Sequence, residues 1–160
     1  MLLVVVNKGH FDLDYFGGEG LKVTPTVDGQ DGRVRVETFH KTENALVKVR
    51  LLDAGGKTVA EGEGTDVTLT IPGVHLWDGT KDPYLYTCET TLAVDGKTVD
   101  QVSTRFGVRT FTVDPEKGFF LNGRSYPLRG VSRHQDWKGI GNAITKEQHD
   151  NYFGMIVVLG

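Results

Sequence analysis

Residues 119–136 read FFLNGRSYPLRGVSRHQD, and two short apolar runs in this stretch flank Asn122-Gly123. Asn-Gly is the strongest two-residue signal for a type I′ hairpin, because both central residues of that turn need positive φ. The chain is therefore predicted to reverse direction here. The returning strand, Tyr126 to Val131, leads into Ser132, Arg133, His134, Gln135 and Asp136. A polar cluster at the carboxyl end of a strand points to function over packing.

Working outward, LNG at 121–123 is followed by LRGV at 128–131 and SRHQD at 132–136, and is preceded by Arg105-Phe106-Gly107-Val108-Arg109. This order resembles glycoside hydrolase family 2, and most of all its β-galactosidase branch, where the residues after the His are similar to Gly139-Ile140-Gly141-Asn142-Ala143 here. The resemblance implies a mainly β chain: an immunoglobulin-like antiparallel β-sandwich, then a β-hairpin and one short α-helix that open a truncated TIM barrel. It implies three parts. Residues 1–20 are a remnant of a preceding jelly-roll domain with its linker, 21–113 the sandwich, and 114–160 the hairpin with the barrel's first strand-helix unit.

Active sites of TIM barrels lie at the carboxyl ends of the strands. By resemblance His134 contacts sugar hydroxyls in the parent enzyme, and Arg129 lies in the barrel near the nucleophile. Retaining hydrolysis of an O-glycosidic bond needs two carboxyl groups about 5–5.5 Å apart. In the family both are glutamates on later barrel strands, and a barrel takes about 250 residues. Only 30 residues follow Gly130. Both glutamates are therefore expected beyond Gly160, and the chain itself is expected to be an inactive fragment with no catalytic residue of its own. Asp136 with Glu147 or Asp150 is no substitute, because acidic residues in a first helical turn already have a reason to be there in the helix dipole. The implied partner is the carbohydrate substrate of the parent enzyme. No cofactor is expected on this chain; the resemblance implies Mg or Na ions for the parent enzymes only.

Composition sets outer bounds. With 160 residues, 38% hydrophobic and 24% charged, the chain has the material for one ordinary core. A net charge of −3 without a dense Lys/Arg run excludes broad attraction to nucleic acid or to acidic membranes. Cys88 is alone, so no internal disulfide and no paired-cysteine metal pattern arises. His10, His40, His75, His134 and His149 lack the short spacing of a zinc site. No compartment is assigned. The opening apolar run, Leu2 to Val6, is far short of a membrane span of about 20 residues and reads as a strand.

Gly9 to Gly20 reads as a loop whose Phe11, Tyr15 and Phe16 either line a sugar-binding face or pack against a neighbouring domain. From Leu21 to Val113 apolar residues alternate with polar ones in short runs, the pattern of a sheet with one buried face. Asp53–Lys57, Glu61–Gly64 and Val94–Gly96 supply turns, and Asp95-Gly96 reads as a second hairpin. Tyr84 to Val94 is the longest strand candidate and puts Cys88 in the core. Trp77 reads as a core plug and His75 as a bystander. Phe106 to Val113 is the predicted exit strand, and Asp114–Gly118 the domain boundary.

Thr145 and Gln148 have the spacing of a capping box, so a helix is predicted from there toward Gly160. Tyr152, Met155, Ile156 and Leu159 make an apolar stripe along it, interrupted by Gly154 and open to packing on the sandwich, pairing with another copy, or fraying. Two readings compete with a hydrolase fragment: an immunoglobulin-like module that binds carbohydrate or protein, and a structural spacer. The module has no use for the tail LRGVSRHQD, whereas a barrel start does.

Overall fold

The computed structural model describes residues 4–15, 17–130, 132 and 134–159, with backbone alone at 157–159. Among these residues, seven strands build two antiparallel sheets. One sheet has the order β1-β2-β5, from Leu21–Asp28, Asp31–Thr38 and Asp66–Ile71. The other runs β4-β3-β6-β7, from Thr58–Glu63, Ala45–Leu52, Tyr86–Val94 and Lys97–Phe106. The result is the immunoglobulin-like sandwich that the alternation predicts.

Alternation decides which face is dry. In β2 the residues Val34 and Val36 are fully buried while Arg33 and Arg35 are exposed, and in β3 the same holds for Val47, Val49 and Leu51 against Lys48 and Arg50. Tyr86, Cys88, Thr90 and Leu92 of β6 face the same core. Burying side chains of this size contributes roughly 1.5–3 kcal/mol each, so a slip of one residue would bring charge inside and is disfavoured. On the wet faces, cross-strand pairs such as Arg35 with Asp66 and Arg50 with Glu89 fix register with little net stability. Pro25 stands in β1 at the sheet's edge, where a missing N–H costs no ladder bond.

Two hairpin turns follow the sequence, whereas Glu61 to Glu63, read as part of a turn, continue β4 to its end. Asp95 and Gly96 have φ of 50° and 74°, and Asn122 and Gly123 have 49° and 75°, as type I′ turns require. A small third sheet, β10-β9-β8, is formed by Arg124–Ser125, Gly118–Leu121 and Phe111–Asp114. The compact units divide after Pro127: one runs through that residue and the other starts at Leu128. In the second unit a single helix, α1, spans Lys146–Leu159, and Gly160, toward which the helix is predicted to run, lies outside the described residues. Its capping box is closed on both sides, since Thr145 N–H donates to Gln148 Oε1 at 2.9 Å and Gln148 N–H donates to Thr145 Oγ1 at 3.3 Å.

Several expectations are corrected. Val4–Val6 form no strand, having no partner strand to complete a ladder, while Leu2 and Leu3 lie outside the described residues. The sandwich's exit strand is β7, which ends at Phe106, where the prediction placed the strand at Phe106 to Val113. The ladder stops there because Val108 O turns to accept Trp77 N–H at 2.8 Å. Asp114–Gly118 joins β8 to β9 inside the first unit. Phe11, offered for a sugar face or a neighbouring domain, belongs to this sandwich's own core at 1% exposure. Its N–H donates to Asp100 Oδ2 at 2.8 Å, and Tyr15 stacks on Phe39 at 3.9 Å; Phe16 lies outside the described residues. In α1, Tyr152 and Ile156 are half-buried, but Met155 keeps 52% of its surface, so the stripe is only partly covered.

Cys88 is fully buried, and burial pushes its thiol up to about 12 from an ordinary value of 9.0. Raised in the fold, this group leaves stability intact below pH 9 and subtracts from it as pH climbs toward 12, where the unfolded chain alone ionises. A thiol reagent at about pH 8 is expected to label Cys88 only as fast as the chain unfolds, and Cys88→Ala is expected to flatten the alkaline decline in a urea-unfolding series. Truncating the cap, Thr145→Ala, is expected to cost α1 about 1 kcal/mol, seen as lost helical circular dichroism with the β signal unchanged.

Candidate functional site

The best-organised polar arrangement surrounds the tip of the β9–β10 hairpin. Positive φ at Asn122 aims its side chain back at two segments of the sandwich. Asn122 Oδ1 accepts Thr110 N–H at 3.0 Å, and Asn122 Nδ2 donates to Trp77 O at 3.0 Å. Its own backbone N–H donates to Thr110 O at 2.9 Å. One residue thus ties three stretches of chain. Arg124 adds an ion pair to Asp78, and Tyr126 lies over buried Gly79, whose φ is 66°. A Cβ at Gly79 would overlap the Tyr126 hydroxyl.

Beside this tie, Arg109 lays its guanidinium over the Trp77 ring, 4.7 Å from the centroid. Trp77 is half-buried under that cation and lies outside the main cluster, so it is a lid on the sandwich edge and not the predicted core plug. The reason is steric: Gly107 brings backbone to the indole, and a side chain there would stand 2.9 Å from Trp77 Cβ. Pro25, Trp77, Leu85, Gly107, Arg109 and Phe111 line an open cleft of about 420 Å³. Phe111 stays 61% exposed there, and Val113, two residues on in β8, 73%.

His75 is more engaged than a bystander. Its Nε2 stands 2.7 Å from Asp82 Oδ2, and its ring stacks on Tyr84 at 3.9 Å, 7° from parallel. Its backbone N–H donates to the Tyr86 hydroxyl at 2.8 Å. Burial of that phenol raises its pKa, against the opposing effect of the His75 N–H. No periodicity signals this network, since it forms across a non-repetitive crossing.

Arg129 and His134, the residues singled out from sequence, are both exposed and lie on irregular chain in the second unit. The strand predicted over Tyr126 to Val131 does not form at its described residues: the returning strand is Arg124–Ser125, with one more bond from Tyr126 N–H to Phe119 O. Pro127 has no N–H to continue the ladder; Val131 and Arg133 lie outside the described residues. No hydrogen bond or ion pair joins Arg129 to His134 among the described residues, so the structure places both without assembling them into a site. Asp150 pairs with Lys146 at 2.5 Å and Glu147 occupies the first turn of α1, as their local roles require. Gly160, past which the catalytic glutamates are expected, is outside the described residues, so that expectation stays one drawn from the resemblance. Among the described residues no three His, Cys, Asp or Glu side chains converge as a metal site would need.

Residues 19–109 match the model of glycosyl hydrolases family 2. A beta-glucuronidase of Bacteroides fragilis is 31% identical over 162 residues, covering 92% of this chain and 23% of that protein. A beta-galactosidase of Bacteroides ovatus is 33% identical over 163 residues, covering 91% of this chain and 19% of its own length. The crystal structure of an FMN-binding beta-glucuronidase from Facaelibacterium prausnitzii L2-6 superposes with a TM-score of 0.84 at 36% identity. That superposition covers 97% of this chain and 25% of the other. The chain spans about a quarter or less of the relatives it matches.

The tie at the hairpin tip gives a direct test. Gly79→Ala meets both the Tyr126 hydroxyl and a left-handed backbone, and is expected to destabilise the first unit by about 1–3 kcal/mol in urea unfolding. Adding Tyr126→Phe to it is expected to restore part of that loss.

Proposed function

Because the chain belongs to glycosyl hydrolases family 2, we propose that it supplies the supporting sandwich and the barrel entry of a β-glycosidase. One observation carries this reading. The likeness to a solved beta-glucuronidase covers 97% of this chain, more than the sandwich alone, which supports reading tail and sandwich as parts of the same kind of protein. A free-standing binding module would leave that tail unexplained.

In this reading residues 1–20 complete a preceding domain, 21–113 are the brace, and 114–160 start the barrel. His134 contacts hydroxyls of the carbohydrate at the mouth of the first barrel strand, and Arg129 braces side chains within. The general acid and the nucleophile are two glutamates on later strands, past Gly160, about 5–5.5 Å apart for a retaining mechanism. A β-glucuronide is the glycone we favour, since two of the three relatives described above are beta-glucuronidases. The beta-galactosidase of Bacteroides ovatus supports a galactoside as the second reading.

Residues 1–160 alone are expected to give no turnover of chromogenic β-glucuronides or β-galactosides above a no-protein blank, and measurable turnover would end the claim that the carboxyl pair is elsewhere. A longer polypeptide carrying this segment and a full barrel is expected to prefer the glucuronide. In it, His134→Ala is expected to lower kcat/KM by about 10²-fold or more, as the loss of a transition-state hydrogen bond does.

A further inference from the structure

Asn122-Gly123 is the pairing most prone to spontaneous amide loss, because a glycine offers its backbone nitrogen without a side chain in the way. Gly123 is exposed, and even an added Cβ would meet nothing within 4 Å. The same Asn122 amide is the tie described above, with Oδ1 and Nδ2 both bonded at 3.0 Å. These two facts meet in one side chain. We propose that Asn122 is a deamidation site whose reaction is held off by the tie and, once it occurs, releases the hairpin irreversibly.

The chemistry balances without any oxidant or reductant. The Gly123 backbone nitrogen, having lost its proton to solvent base, attacks Asn122 Cγ; the new C–N bond forms, the Cγ–Nδ2 bond breaks, and ammonia leaves with the proton it needs. Water then opens the five-membered imide at either carbonyl, giving Asp or isoaspartate at position 122. Attack requires the side chain to swing, and both of its ends are anchored to separate segments, Thr110 and Trp77. Reaction therefore waits for the tie to open.

The product cannot close it again. An Asp carboxylate still accepts Thr110 N–H, but it has no proton to give Trp77 O, and two acceptor oxygens then face each other. Asp78, next to Trp77 and already paired with Arg124, adds like charge on that side. The isoaspartate product is worse, since its extra backbone carbon breaks the type I′ geometry.

The experiment incubates residues 1–160 at about pH 7.4 and about 37 °C, folded and in urea, and follows the hairpin peptide by mass and by isoaspartate detection. The folded chain is expected to react at least about a hundredfold more slowly, since the tie opens only together with the cooperative body it holds. The reacted fraction, and separately Asn122→Asp, are then digested with trypsin under native conditions. Cleavage after Lys117 and Arg124 is expected to be at least about tenfold faster than in the parent chain, with the sandwich peptides unchanged. Equal rates folded and in urea would overturn the proposal, as would a reacted hairpin that resists trypsin like the parent. If Asn122→Asp does not fold, the reacted fraction of the native chain decides alone.

Discussion

A primary amide holding two distant backbone groups at once is the constraint on which the hairpin's placement rests. Three short strands, the longest of them four residues, bury too little apolar surface to stay folded by themselves. Asn122 removes that difficulty by bonding Thr110 on the sandwich's exit and Trp77 on the crossing between its sheets. The bond to Trp77 is part-shielded from water, where a hydrogen bond left unmade costs about 1–3 kcal/mol. The turn type is what aims the side chain: with φ of 49° the residue sits where Asn is tolerated and most other side chains are strained. Local backbone preference and long-range tethering thus fall on the same residue.

Behind the tether stands a core that needs no special chemistry. Val34, Val36, Val49, Leu51, Cys88 and Leu92 interdigitate between the two sheets with no measurable exposure. Its stiffness passes to the hairpin through Val108, which is fully buried while its carbonyl fixes Trp77. Arg109 then covers the indole. The RFGVR stretch accordingly does two jobs in succession: Phe106 ends the last strand inside the core, and the next residues turn outward to receive the hairpin. These contacts fix the hairpin on the sandwich within the first unit.

What can be read from the sequence divides by range. Asn122-Gly123, Asp95-Gly96 and the Thr145–Gln148 box are legible because each depends on residues no more than a few positions apart. The alternation of β2, β3, β5 and β6 is legible because a sheet with one wet face imposes period two on its own strand. Phe11 escapes such reading, since the residues that bond its backbone, His40 and Asp100, are far away along the chain. His75 escapes too: Asp82 and Tyr84 are close in sequence, but only the folded crossing stacks them. The strand predicted through Val131 fails at Pro127, a stop signal that the apolar run around it concealed. Of the candidate site, the residue types at 129 and 134 are legible, while their assembly depends on groups that no local pattern contains.

Hydrogen exchange in the native chain tests the tether most directly. The amides of Trp77, Thr110 and Asn122 are to be compared, residue by residue, with those of Val49 and Cys88 in the central strands. If Asn122 binds hairpin and sandwich into one cooperative body, all five open with nearly the same free energy and the same denaturant dependence. Exchange of the first three at the rate of a freely fraying hairpin, while the central strands stay protected, would contradict the account.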